Sequence, residues 1–186
     1  MVMAFYNDIN LEPKRKNRWL LYINGVEPWL IASFTKPSYN IGNSEYQEIN
    51  IISYKPNVLK WNPCKFSMLD IEPSVDIRLN GQDKLNTSKR FYQYIFGAGH
   101  QHPYYYDIFQ PKEPFASITK SGAISALGDR IRFVQLNVEG KPIEEWTLYN
   151  PWIEDCDFGG DRESGDEEIE KISCTLIYDY ATFKTI

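Results

Sequence analysis

His100 and His102, in Gly99-His100-Gln101-His102-Pro103, are the only histidines of the chain, and two imidazoles on one loop could offer two ligands to a metal ion. A metal site needs further ligands, and no cysteine or third histidine stands at ligand spacing, so a solvated aromatic loop is the plainer reading. Cys64, Cys156 and Cys174 are widely spaced and odd in number. They write neither a disulfide framework nor a Cys-x-x-Cys pair, and a reducing compartment is their natural setting. The acidic segment from Glu154 to Glu170, with Asp155, Asp157, Asp161, Asp166, Glu167 and Glu168, gathers oxygen ligands as a calcium loop does. Counted from Asp155, however, the fifth position is Gly159 and the twelfth is Asp166, where an EF-hand loop needs an oxygen ligand and a Glu. A solvated charged loop or the edge of an interface accounts for it better. Carboxylate pairs of the kind that cleave glycosides occur in many loops by chance. A Gly-x-Ser-x-Gly elbow and the Walker and Rossmann phosphate loops are absent, so nucleophilic and nucleotide chemistry have no anchor in the sequence.

Lys14, Arg15, Lys16 and Arg18, followed by Trp19, form a short basic run that could sit on nucleic acid. A solvated arm before the first strand is the simpler account, and a more specific one has this arm meeting the acidic loop of a neighbouring copy. On that account Lys14, Arg15, Lys16, Arg18, Glu154, Asp155, Asp157, Asp161, Asp166, Glu167 and Glu168 belong to contacts between subunits. The formal net charge of -5 argues against a protein that wraps nucleic acid, which draws on clustered Lys and Arg. Met1 to Asn10 lacks a charged leader followed by an apolar run, and no segment approaches the ~18 apolar residues of a membrane helix. The sequence therefore reads as soluble, without a visible export signal and without a membrane partner.

The elements that would position these groups are mostly strands. At 186 residues the chain suits one domain, residues 1–186, with a basic N-terminal arm over 1–18. Thirteen Tyr, ten Phe and five Trp favour strands and interfaces. Trp19 to Ile23 and Trp29 to Thr35 flank Asn24-Gly25, which predicts a hairpin. Ser38 to Asn43 reads as a polar tract, Glu45 to Tyr54 as a strand ended by Lys55-Pro56-Asn57, and Leu59 to Ile71 as a half-buried strand. Asp83 to Phe96 has helical spacing and is stopped by Gly97 and Gly99. Residues 97–116 read as an irregular insertion loop, and Ser117 to Leu127 as a short second helix that Gly122 weakens. Ile131 to Val138, the turn Glu139-Gly140-Lys141-Pro142 and Trp146 to Tyr149 make a strand pair. In the last strand Ile172, Cys174, Leu176, Tyr178 and Tyr180 fall on one face by the two-residue period. Strands before and after a central helical region give a mainly β, α+β class with antiparallel sheets and a packed helix.

This order of elements resembles the tail tube proteins of contractile-tailed, T4-type bacteriophages, in the tail tube and type VI secretion tube superfamily. The likeness is strongest from Ile131 to Tyr180. There Gly140-Lys141-Pro142-Ile143 and Trp146-Thr147-Leu148-Tyr149-Asn150-Pro151-Trp152 lead to Glu168-Ile169 and the Tyr178-Asp179-Tyr180 ending. The resemblance implies two packed antiparallel sheets, a β-sandwich or barrel-like fold with one flanking helix. It also implies a non-enzymatic virion protein without cofactors that forms hexameric rings stacked into a hollow tube inside the contractile sheath. The implied partners are further copies of the chain, the sheath protein, and the baseplate and tail terminator proteins. Genome DNA would pass through the lumen without sequence-specific binding, and the tube would be assembled in the host bacterial cytoplasm. The Gly97 to Pro114 stretch, with Tyr104-Tyr105-Tyr106, matches no feature of that family.

The physics of the residues agrees with such a role. Ring closure removes exposed sheet edges, and rotationally repeated contacts that stack extend into a filament. A negative wall would keep phosphate backbones from adhering. Two other functions fit the same residues. One is the ring-forming tube of a type VI secretion or phage-derived contractile injection system. The other is a calcium-dependent carbohydrate-binding β-sandwich that uses exposed aromatics with Asp155 and Asp157.

Overall fold

The computed structural model describes residues 13–71, 86–100, 117–160 and 168–186. Two antiparallel four-stranded sheets carry its core. One runs β1 (Trp19–Tyr22), β6 (Arg130–Leu136), β7 (Pro142–Tyr149), β10 (Tyr180–Thr185) across the sheet; the other runs β2 (Ile31–Phe34), β5 (Cys64–Leu69), β9 (Lys171–Ile177), β8 (Trp152–Asp157). The two-residue period decides which side chains meet. Leu21, Ile131, Phe133 and Leu148 of the first sheet face Cys64, Phe66, Met68, Ile172, Cys174 and Leu176 of the second, and all are buried. Phe34 and Phe133 stack across the gap with centroids 5.2 Å apart, a contact that joins the two layers directly. This is the mainly β, two-sheet architecture that the sequence leads one to expect.

Two helices close one flank. In α1 (Thr87–Gly97) the Asn86 side chain accepts from the Lys89 amide at 3.1 Å, satisfying an amide that the helix leaves unpaired. Phe91 carries the helix into the core, its ring 6.2 Å from that of Phe66. A second helix, α2 (Lys120–Leu127), joins it, capped by the Thr119 hydroxyl, which accepts from the Gly122 amide at 3.0 Å. Gly122 does not break this helix; it admits α1. A Cβ there would lie 2.7 Å from the Ala98 carbonyl oxygen, closer than side chains approach backbone.

Several strand assignments differ from the sequence reading, mostly because neighbouring strands belong to different sheets. Asn24-Gly25 does turn the chain, with Gly25 at φ 69, but β1 pairs with β6 and β2 with β5. Only an Ile23 to Val26 bridge is left of the expected hairpin. The final strand is likewise two. Ile172, Cys174, Leu176 and Tyr178 are buried as expected, whereas Tyr180 is exposed because the chain crosses to the other sheet at Tyr178-Asp179. The aromatic stretch Trp146 to Trp152 is also a crossing, from β7 to β8, with Asn150 at φ 53. These two corners are tied together: the Asp179 carboxylate accepts from Asn150 Nδ2 at 2.9 Å and from Lys120 Nζ at 2.6 Å. Both hydrogen bonds, Lys120 first, hold the Asp179 carboxyl below its ordinary range.

The largest difference lies between β2 and β5. The Ser38 to Asn43 tract is strand, and Lys55-Pro56-Asn57 ends nothing. Both belong to a long separate hairpin of β3 (Tyr39–Glu48) and β4 (Ile51–Trp61). Pro56 is tolerated because the ladder is irregular there: Ile41 pairs with Leu59 and Asn43 with Pro56, so Gly42 faces the extra residue of a bulge. Of the expected first helix, residues 83–85 lie outside the described residues, as do residues 101–116 of the insertion loop, with His102 and Tyr104 to Tyr106.

Candidate assembly interface

The β3–β4 ribbon belongs to neither four-stranded sheet. Its root is anchored: the Asn62 amide donates to the Ser38 carbonyl at 2.8 Å, Trp61 meets Tyr178 with centroids 6.0 Å apart, and Tyr39 sits edge-on to Trp61 at 5.8 Å. Its body is exposed. Ile49 at the tip is 99% accessible and Val58 is 80% accessible, and Tyr46, Ile51, Ile52 and Tyr54 are exposed as well.

The bulge gives the ribbon two unlike faces. In β4 the even positions Ile52, Tyr54 and Pro56 share a side; the extra residue then shifts the parity, so Leu59 and Trp61 fall on that same side. Opposite them stand Tyr39 and Ile41 at the root and Glu45 and Gln47 nearer the tip. The other face carries Asn40, Ser44, Tyr46 and Glu48 against Lys60, Lys55, Ser53 and Ile51, with Lys55 Nζ 4.9 Å from the Tyr46 ring centroid. A two-stranded ribbon alone in water is marginally stable, and an apolar run along one face is a surface built to be covered. Each four-stranded sheet also ends in edge strands, β1 and β10 in one, β2 and β8 in the other. Such an edge presents unpaired backbone groups to which another chain can add.

The basic run is docked at its base onto its own subunit. Gln135 and Glu144 lie on the inward face of β6 and β7 in register with Trp19, where buried polar groups must find partners. Gln135 Nε2 donates to the carbonyls of Arg15, at 3.0 Å, and Arg18, at 2.6 Å. The Glu144 carboxylate receives Lys14 on one oxygen and Lys36 on the other, the latter at 2.8 Å. Burial pushes the Glu144 carboxyl up, but the hydrogen bonds and charges of Lys14 and Lys36 together outweigh it and hold it below its ordinary value of 4.5. Because the folded value is depressed, the docking contribution is present above pH 4.5 and is lost as pH falls through the folded value. Glu144→Gln should therefore show a smaller loss of melting temperature than the parent chain between pH 6 and pH 3. At neutral pH the variant should be cleaved by trypsin after Arg15 and Lys16 about tenfold faster, the equivalent of losing one charge-assisted hydrogen bond. Equal cleavage rates would mean that the carboxylate does not hold the arm.

The remaining expected contact residues are distributed as follows. Lys14, Arg15 and Lys16 are exposed and Arg18 is half-buried. Glu154, Asp155 and Asp157 lie on β8, so the acidic segment begins as an edge strand and not as a loop. Asp157 Oδ1 accepts from the amides of Gly159 and Gly160, both at 3.1 Å, and so shapes the turn that leaves the strand. Glu168 is exposed, and Asp161, Asp166 and Glu167 lie outside the described residues. Within its own chain Lys14 meets Glu144 of β7. Asp155 and Asp157 flank Cys156, opposite Thr175 and Ser173, on strands and not between helices. Among the described residues no three His, Cys, Asp or Glu side chains gather as a metal site. Sequence reasoning missed Glu144, although its spacing from Trp146 and Leu148 places all three on one strand face.

No family model and no curated protein matches the sequence. Solved structures do match. A chain in the structure of the anti-feeding prophage cap, its tube-terminating cap, superposes with a TM-score of 0.60 at 14% identity, covering 100% of both chains. The two chains share a fold. A chain of the extended sheath–tube complex of the PVC extracellular contractile injection system gives 0.59 at 12% identity over 94% of this chain and 93% of that one. A chain of the anti-feeding prophage baseplate gives 0.60 at 12% identity over 94% and 97%.

Proposed function

We propose that this chain is the tube subunit of a contractile tail machine and acts by assembly, not by catalysis. Copies close into hexameric rings, and rings stack into a hollow tube inside a sheath, with baseplate and terminator proteins at its ends. The observation that carries this reading is the β3–β4 ribbon, anchored at its root and carrying the apolar run of β4 along one exposed face, on a sandwich that shares its fold with a chain of the anti-feeding prophage cap structure through its full length. A neighbouring copy is the partner that covers it. The exposed basic groups Arg15 and Lys16 and the acidic edge residues Glu154 and Asp155 belong to the same contacts. Individual exposed ion pairs contribute only ~0–1 kcal/mol, so repetition around a ring is what gives them effect.

The first reading of the machine is a phage tail that conducts genome DNA, with the tube located in the virion. An injection or secretion device is the second, and the likeness to chains of the anti-feeding prophage and PVC structures supports it equally. The cargo separates the two, and the tube is common to both. Sedimentation velocity over a concentration series tests the common part. Species several times heavier than the 21.8 kDa chain should appear as concentration rises. A single monomeric boundary at every concentration and salt would overturn the proposal.

A further inference from the structure

The alternation along β8 that turns Asp155 and Asp157 outward turns Cys156 inward, where it is paired directly with Cys174 of β9. Their Sγ atoms lie 3.0 Å apart. Directly opposed residues of an antiparallel pair have Cα atoms about 4.5–5.5 Å apart, inside the range that a disulfide spans, so a bond of ~2.05 Å needs a small side-chain adjustment and no backbone rearrangement. The two thiols differ in access, Cys156 being half-buried and Cys174 buried. They also differ in acidity. The hydrogen bond from Cys174 lowers the Cys156 thiol, while the same bond and burial raise Cys174. The reactive sulfur is thus the one that solvent reaches. Cys64 differs on every count: it is fully buried, its sulfur lies 3.7 Å from the Tyr178 hydroxyl, and burial pushes it up to about 11.

We propose that Cys156 and Cys174 form a reversible cross-strand disulfide when the protein meets an oxidised low-molecular-weight thiol, clasping edge strand β8 onto β9. The Cys156 thiolate attacks one sulfur of a small disulfide, breaking its S–S bond and expelling one thiolate. Cys174 then loses its proton, attacks the Cys156 sulfur of the mixed disulfide and expels the second thiolate. Two protein thiols are oxidised, the small disulfide is reduced to two thiols, and the released protons go to the departing thiolates. The bond fixes both ends of the acidic segment that follows β8 and leaves Cys64 as a spectator. The odd count that argued against a disulfide framework conceals a pair and a bystander.

The test uses the full chain at neutral pH with oxidised glutathione, followed by alkylation after denaturation and intact mass. One alkylatable thiol should remain of the three in the sequence, with a Cys156–Cys174 linked peptide, and dithiothreitol should restore all three. The oxidised protein should melt about 5–10 °C higher, as closing a loop of this length implies for a domain of this size. Cys174→Ser should stop at a glutathione adduct on Cys156. Three alkylatable thiols, a stable adduct on the parent chain, a bond that includes Cys64, or a bond between chains would each overturn the proposal. Melting unchanged by the bond would overturn the clasp. Because the parent chain alone gives a decisive result, failure of a variant to fold does not protect the idea.

Discussion

Ile52→Asp combined with Tyr54→Asp is expected to abolish rings and tubes while leaving the subunit folded. Both side chains belong to the apolar run of β4, opposite Gln47 and Glu45 of β3, and are exposed in the isolated chain. In the monomer they cover no core residue, and exposed substitutions of this kind change stability by about 0.5 kcal/mol. The melting temperature should stay within about 3 °C of the parent. At an interface, the same two carboxylates would be taken out of water without cationic partners, at a cost of at least ~2 kcal/mol per contact. Every contact in a ring repeats that cost, so the loss is expected to be complete and not partial. Thermal unfolding beside sedimentation of the same sample checks both halves. Normal tubes from the doubly acidic ribbon would show that this face is not an interface.

Phe66→Ala should have the largest effect on the subunit itself. Phe66 is 1% exposed and lies at the centre of β5, between β2 and β9, with Phe91 of α1 against its ring. Removing it opens a cavity where the second sheet meets the helical flank, and the backbone of two paired strands prevents collapse. Core Phe→Ala substitutions cost about 3–5 kcal/mol, and each kcal/mol shifts melting by about 2–4 °C at this size. A loss of ~6–20 °C is expected by calorimetry. A loss below about 2 °C would mean that the sheets and helix do not share one core.

What the sequence made legible follows the range of its physical signals. Alternation is local, so Ile172, Cys174, Leu176 and Tyr178 are assigned correctly to one buried face. The same alternation runs on through Tyr180, yet the chain there has passed to the other sheet, because Asp179 is held at the corner by Lys120 and Asn150. That partner lies far off in sequence and leaves no periodic trace. Asn24-Gly25 signals a turn correctly but not which strands flank it in space. Pro56 reads as a strand end unless the bulge opposite Gly42 is known, so the ribbon that carries the functional reading was hidden. Glu144 stayed hidden for another reason. Its neighbour Glu145 makes the pair look like a solvated stretch, whereas the strand period buries Glu144 and calls for the lysines that reach it.

The central claim is that this chain builds a hollow tube from copies of itself. Negative-stain electron microscopy of the purified protein at high concentration tests it most directly. Rings with a central hole, and stacks of such rings seen from the side as tubes of uniform width, are the expected images. A field of particles no larger than one chain, unchanged by concentration or salt, would contradict it.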